Sequence, residues 1–451
     1  MERKMKNSSI PWIGQIPEHW KIVRLKNIGS FYGGLTGKAG DDFSVNEEND
    51  NYALFIPFTN IFNNEKINYK QLAKVKVGSD EKQNEVSFGD ILFLMSSEDS
   101  EGIGKSSVYL LQLEDPIYLN SFCKGLHVNN DSADSSYVNY YMSCAAGHEY
   151  TKTYANGFIR INLRQEMLSK CPLLMPPLEE QETIAAHLDK KCGEIDELIE
   201  VEQQMISELE SYRQAVITEA VTHGLNPDTR MVESDCDWFA SHPSHWRTEK
   251  IRNLFVKRTE KNNPIRTKER LSLSIDKGIT LYADKTTNLD RFKDDFTQYQ
   301  LAHPNDIVLN SMNMIVGAVG KSAYFGCVSP VYYVIYSKDA NVNMDFYGYL
   351  LNTPIIRDVY HKLGQGIYAI ERGDGRVNTC RLKVDYYEFS QIKVPVPPVE
   401  EQNTIVSFLK EKEYEIDELV KVKQEKIETL KQYRQSLIFE AVTGKHIISQ
   451  E

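Results

Sequence analysis

No run of apolar residues in this chain approaches the roughly 20 that a membrane-spanning helix requires. The N-terminal MERKMKNSSIPW also has no apolar segment of the kind a secretory leader carries. A cytoplasmic location with no membrane partner is the expectation. The cysteines Cys123, Cys144, Cys171, Cys192, Cys236, Cys327 and Cys380 are scattered singly, with no C-x-x-C pair. That spacing suits neither a disulfide framework nor a zinc site and reads as reduced, mostly structural thiols. His242 and His245 form an H-x-x-H without a second ligand pair nearby, so turn or packing roles fit them better than a metal. Catalytic signatures are missing as well: there is no G-x-S-x-G, no H-E-x-x-H and no D/N-P-P-Y/F. GKS occurs at 104–106 and 320–322, but the first glycine of a phosphate loop would fall on Asp99 and Ile315. Basic charge is in deficit, with 52 Lys and Arg against 64 Asp and Glu, which at first argues against a phosphate-rich partner.

What the chain does have is length and a repeat. Its 451 residues exceed what one hydrophobic core organises, and 41% hydrophobic with 26% charged residues describes a globular protein rather than a disordered one. PPLEEQ at 176–181 returns as PPVEEQ at 397–402, an offset of 221. Without a gap, 176–222 aligns with 397–443, and 26 of the 47 positions are identical. A second landmark precedes each half: Trp12, Pro17, His19 and Trp20 correspond to Trp238, Pro243, His245 and Trp246. Between the landmarks GDILF (89–93) resembles NDIVL (305–309), while the rest of the two blocks differs. Such a duplicated frame with unlike inserts is a repeat architecture.

Each PPxEEQ opens a helix, because the prolines suit its first turn and the carboxylates suit the positive end of its dipole. A heptad seam, mostly apolar but with Lys191, Glu202, Lys412, Lys423 and Lys426 in it, then runs on for about 45 residues, with no Gly or Pro over the middle except Gly193. At 1.5 Å per residue this is a rod of about 65 to 70 Å. The seam on this reading includes Ile184, Leu188, Ile195, Leu198, Leu209 and Tyr212, and in the second copy Ile405, Leu409, Ile416, Leu419, Leu430 and Tyr433. Two such stripes in one chain bury each other as an antiparallel coiled coil if the repeats obey a pseudo-twofold, or pack separately in bundles if they do not.

The acidic excess belongs to these helices. Segment 176–222 has 3 basic against 12 acidic residues, and 397–443 has 7 against 10, which together account for the whole net charge of −12. The blocks are near neutral, with 15 basic against 19 acidic at 21–175 and 22 against 16 at 247–396. Nucleic-acid contact by the blocks is therefore open, and the acidic helix faces are free for protein partners. Both blocks mix strand-like runs (Tyr52–Phe58, Ile91–Met95, Ile307–Asn310, Val331–Tyr336) with a helical stretch (Ser136–Ala146, Met344–Leu351) and read as mixed α/β domains.

Basic and amide side chains on Gly-permitted loops suit a DNA groove. On that ground the candidate contacts are Lys38, Lys105, Tyr154, Asn156 and Arg160 in the first block, with Lys257, Arg258, Asn310, Asn313, Lys321, Gln365, Tyr368 and Arg376 in the second. The segments are 1–175, a first recognition block with an N-terminal stub; 176–222, helix; 223–246, linker; 247–396, second block; 397–444, helix; and 445–451, tail.

PPxEEQ before a long heptad helix, twice, each time preceded by P-x-H-W and a divergent block with a (G/N)DI(L/V) strand, resembles the specificity subunit of Type I restriction-modification systems across essentially the whole chain. The resemblance implies a mixed α/β (α+β) fold of two similar target recognition domains separated by two long antiparallel helices. Each domain would read one half of a split, asymmetric site in double-stranded DNA, and the helices would space the domains and dock two methyltransferase subunits, with restriction subunits in the full complex. It implies no catalytic residue, no metal site and no cofactor on this chain; S-adenosylmethionine, Mg and ATP would be held by partner subunits. A coiled-coil scaffold without DNA binding, or the recognition region of a self-sufficient DNA-modifying enzyme, are the alternative readings.

Overall fold

The structure, a computed structural model, describes residues 4–45, 51–78, 81–129, 131–157, 160–275, 277–285, 295–367, 381–446 and 448. The chain divides into two compact units, Met1–Glu202 with Glu425–Glu451, and Gln203–Gln424. Each unit therefore combines one block with residues from both long helices.

In the first unit a four-stranded antiparallel sheet runs in the order Gly29–Gly33, Cys123–Val128, Ile91–Leu94, Ser106–Val108. The ILFL run at 91–94 is buried at every position. A continuous apolar run of this kind belongs to a strand covered on both faces. The second unit repeats this order and sense with Val256–Lys257, Tyr332–Tyr336, Ile307–Asn310 and Val319–Lys321. A capped helix follows each sheet: Asp134 accepts from Tyr137 N–H ahead of Ser135–Ser143, and Asn343 accepts from Asp345 N–H ahead of Met344–Leu350. The helix expected over 136–146 stops at Ser143, because Cys144 adopts extended backbone and opens a further helix, Ala145–Tyr154.

Each block is closed by a two-stranded antiparallel ladder, Lys21–Arg24 with Pro172–Met175 and Arg247–Lys250 with Lys393–Val396. The two ends of a block thus leave side by side, immediately before a long helix. Those helices are Leu178–His223 and Val399–Val442, of 46 and 44 residues. Glu179 with Glu180, and Glu400 with Glu401, occupy their first turns, where the helix dipole favours negative charge.

Within each unit the helix segments run antiparallel, as their cross-helix contacts record. In the first, Lys426 Nζ lies 2.6 Å from Glu202 Oε1 and Arg434 Nε 3.0 Å from Asp196 Oδ1. In the second, Lys423 Nζ reaches Met205 Sδ at 2.9 Å and Arg213 Nη2 reaches Asp417 Oδ1 at 2.6 Å. Arg213 and Arg434, and likewise Asp196 and Asp417, are related by the repeat offset of 221, so one ion pair occurs twice.

The heptad reading needs one correction. Ile184, Leu188, Ile195, Ile405, Leu409 and Ile416 are buried, and Leu209 and Leu430 half-buried. Leu198, Tyr212, Leu419 and Tyr433, however, are 48, 54, 51 and 58% exposed. The inward row at these levels lies one residue later, at Ile199, Ile206 and Arg213 and at Val420, Ile427 and Arg434, of which Ile427 is buried and the others half-buried. The inward arginine of each copy is held by an aspartate of the other helix, an arrangement that a search for apolar residues passes over.

No helix among the described residues is long and apolar enough to cross a membrane. Two glycines with opposite surroundings test the packing. Gly444, at φ +70°, would place an added Cβ 2.5 Å from Pro17 Cδ, whereas Gly193, inside the first long helix, would place one in open space. Gly444→Ala should lower unfolding stability by at least ~1–2 kcal/mol, and Gly193→Ala should raise it by ~0.5–1 kcal/mol. Urea unfolding of the full chain measures both.

Candidate nucleic-acid interface

The repeated motifs are accounted for by the frame. Glu180 Oε2 lies 2.8 Å from His19 Nε2 and accepts the Trp20 indole N–H at 3.2 Å. Glu401 Oε2 stands 2.7 Å from His245 Nε2 and accepts from Trp246 at 3.0 Å. The neighbouring glutamine is buried in both copies. Gln181 accepts from Asp134 N–H at 3.0 Å and donates to Pro176 O, and Gln402 accepts from Asn343 N–H at 2.8 Å and donates to Pro397 O. Asp134 and Asn343 are the helix caps of the two blocks, so the motif fixes block to helix. The far end of the other helix completes the joint: Gly444 packs on Pro17 and Trp20, and Gly224, at φ +77°, on Trp246 and Pro243.

Inside each block the shared (G/N)DI(L/V) strand carries a buried aspartate with different partners. Asp90 accepts from Tyr32 Oη at 2.7 Å and lies 2.8 Å from His127 Nδ1. Burial raises its carboxyl above the usual carboxylate range, against the lowering pull of the Ser87 N–H, Tyr32 and His127. Asp306 instead receives a two-pronged guanidinium, with Arg258 Nε at 2.6 Å and Nη2 at 2.8 Å.

Several candidate contacts are therefore engaged inside their own block. Lys38 is buried against Glu81 at 2.6 Å, and Arg258 is held by Asp306. Lys321 pairs with Asp345 at 2.5 Å, and Asp345 also takes Lys410 at 3.0 Å. Burial works against the charge of Asp345, yet the two lysines hold its carboxyl below the usual range. Lys257 lies over the rings of Tyr386 and Tyr333, at 4.4 and 4.9 Å. Asn310 closes a turn by accepting from Met312 N–H. Tyr154, Asn156, Asn313 and Gln365 are exposed or partly exposed. Tyr368 and Arg376 lie outside the described residues.

One pair is brought together. Lys105 Nζ stands 4.0 Å above the Phe62 ring and Arg160 5.4 Å above Phe122, and both rings line a cleft of about 540 Å³. A second cleft, of about 760 Å³, contains Lys321, Asp345, Tyr349 and Arg357 in the second unit. Arg357 donates to Asn352 Oδ1 at 3.0 Å, and burial lowers its pKa. Sequence reasoning passed over Phe122 and Arg357; a phenylalanine in the polar turn NSFCKG was the available signal for the first.

A twice-used joint and two unlike blocks with one sheet order and a cleft in each define a duplicated frame of two blocks, each joined to long helices. The family described as the Type I restriction modification DNA specificity domain matches residues 17–211. The chain is 24% identical over 448 residues to the type I restriction enzyme MjaX specificity subunit of Methanocaldococcus jannaschii, covering 96% of this chain and 95% of that one. To the EcoKI specificity subunit of Escherichia coli K12 it is 27% identical over 229 residues, 49% of this chain and 46% of that subunit. A chain solved in work on assembly and conformational transition of the type I R-M system shares the fold at a TM-score of 0.67 and 14% identity, covering 96% of this chain and 99% of that one. Residues 17–211 thus match the DNA specificity domain of Type I restriction-modification systems, and the chain as a whole is similar to their specificity subunits.

Arg258 separates a structural cation from a DNA-reading one. Arg258→Ala leaves the buried Asp306 carboxylate without its counter-ion and should lower unfolding stability by about 3 kcal/mol or more. Lys257→Ala, which removes only a cation over rings, should cost about 1 kcal/mol. Chemical denaturation compares them; equal, small losses would return Arg258 to the DNA-contact candidates.

Proposed function

We propose that this chain is the recognition component of a Type I complex, that each block reads one half of a split asymmetric DNA site, and that the paired helices space the readers and dock methyltransferase subunits. The observation that carries this reading is the duplicated joint: Glu180 with His19 and Trp20, and Glu401 with His245 and Trp246, hold two dissimilar blocks in the same way. Like frames with unlike readers suit unlike half-sites, as like readers in dimers suit palindromes. Methyl transfer and cleavage, with S-adenosylmethionine, Mg and ATP, fall to partner subunits on this reading.

The exposed apolar row of the helices supports two docking sites. Leu198, Val201 and Tyr433 are exposed in the first unit, and their repeat counterparts Leu419, Val422 and Tyr212 in the second. These residues lie one position ahead of inward-facing ones, and in an antiparallel pair such positions flank the same side of the seam. Two copies of one apolar face call for two copies of one partner. Leu198→Asp and Leu419→Asp should each remove one methyltransferase subunit from the purified complex, and the pair should remove both. Native mass spectrometry reads the stoichiometry, and two retained subunits in the double variant would refute docking here.

The spacing function has its own test. Inserting one heptad into both long helices preserves the seam and adds about 10 Å, roughly three base pairs. Methylome mapping in cells carrying the variant should show the unread spacer lengthened by about that number. An unchanged spacer with methylation retained would overturn the spacer role.

A further inference from the structure

We propose that the cleft of the first unit receives a single nucleobase swung out of the duplex, an adenine or cytosine with its exocyclic amino group. This rests on the DNA-reading function above and names what one block would hold. The walls are aromatic: the Phe58 and Phe62 rings lie 6.0 Å apart at 23°, and Phe122 is 56% exposed on the cleft. Aromatic faces of this kind stack bases. Arg160 stands over Phe122 and lines the cleft, which places one cation where a phosphate flanking an extruded base would pass, while Lys105 stands behind the Phe62 ring and donates to Phe62 O at 3.2 Å.

The polar groups select the ligand further. Ser96 is 8% exposed, and its buried hydroxyl has no hydrogen-bond partner among the described residues. It lines the cleft, so a partner from within the cleft, water or a ligand, can satisfy it. Glu98 and Asp99 also line it. Asp99 Oδ1 already accepts from Gly102 N–H at 2.7 Å, whereas Glu98 is an exposed acceptor. Carboxylates repel a phosphate but accept from a base amino group. A flat, neutral ligand with N–H donors meets every wall of the site, and a cleft of about 540 Å³ has room for one.

The test uses the full complex with methyltransferase subunits, on the target duplex identified from the methylome. Each base pair of the two half-sites is replaced in turn by a mismatch that keeps one strand intact, since an unpaired base is easier to extrude. At one adenine or cytosine the mismatch should tighten binding about tenfold. Phe122→Ala, at an exposed position, should abolish that gain and weaken target binding about tenfold, the loss of one stacked base. Phe122→Tyr should restore both. Tightening at no position, or tightening that survives Phe122→Ala and so belongs to another subunit, overturns the pocket. An altered thymine preference without mismatch tightening also overturns it, and assigns Phe122 to reading within the stack. Failure of the wild-type complex to prefer its target over unrelated duplex would instead refute the DNA-reading function itself.

Discussion

A single carboxylate at the start of each long helix, Glu180 or Glu401, gathers a histidine and a tryptophan from the segment that precedes its block. It stands in the first helical turn, where the dipole already favours negative charge, and hydrogen bonds to an ionised acceptor are the stronger kind. The same tryptophan receives the glycine that ends the other long helix, Gly444 on Trp20 and Gly224 on Trp246. Neither unit can therefore be completed from its own half of the sequence. The last residues of the chain belong to the first unit, and the antiparallel pairing of helix segments within each unit follows from that requirement.

Once the frame is fixed in this way, the blocks are free to differ. Both preserve a four-stranded sheet of one order and a buried aspartate just ahead of one of its inner strands, but Asp90 is satisfied by Tyr32 and His127 and Asp306 by Arg258. A buried carboxylate needs a partner and does not specify which. Loops beyond the sheet carry no comparable constraint, so side chains that meet a ligand can change without disturbing the joint. That separation of a repeated frame from two unlike blocks is the physical content of the similarity to specificity subunits.

Much of this was legible in the sequence, because repeats, prolines and heptads are local signals. The duplicated PPxEEQ marked both helix starts, and the alternation of apolar runs with turns marked the central strands. The seam was misread by one residue at alternate positions because the residues that face inward include Arg213 and Arg434, whose aspartate partners lie on the other helix. The apolar residues beside them, Leu198, Tyr212, Leu419 and Tyr433, form an exposed row instead. Site residues were less legible for a related reason. Lys38 is neutralised by Glu81, 43 positions away, and Arg258 by Asp306, 48 away. A loop cation cannot be distinguished from a structural one until its carboxylate is located. Lys105 and Arg160 stand out in the sequence as charges, whereas in the structure each is seated over an aromatic ring, Phe62 or Phe122, that charge counting ignores.

Two independent readers held on one duplicated frame should be exchangeable, one for the other. Replacing 247–396 with a copy of 21–175 leaves both Glu180 and Glu401 joints in place. The methylome of cells carrying this chain should show the asymmetric target replaced by an inverted repeat of its first half. Methylation that still follows the original second half-site would contradict it.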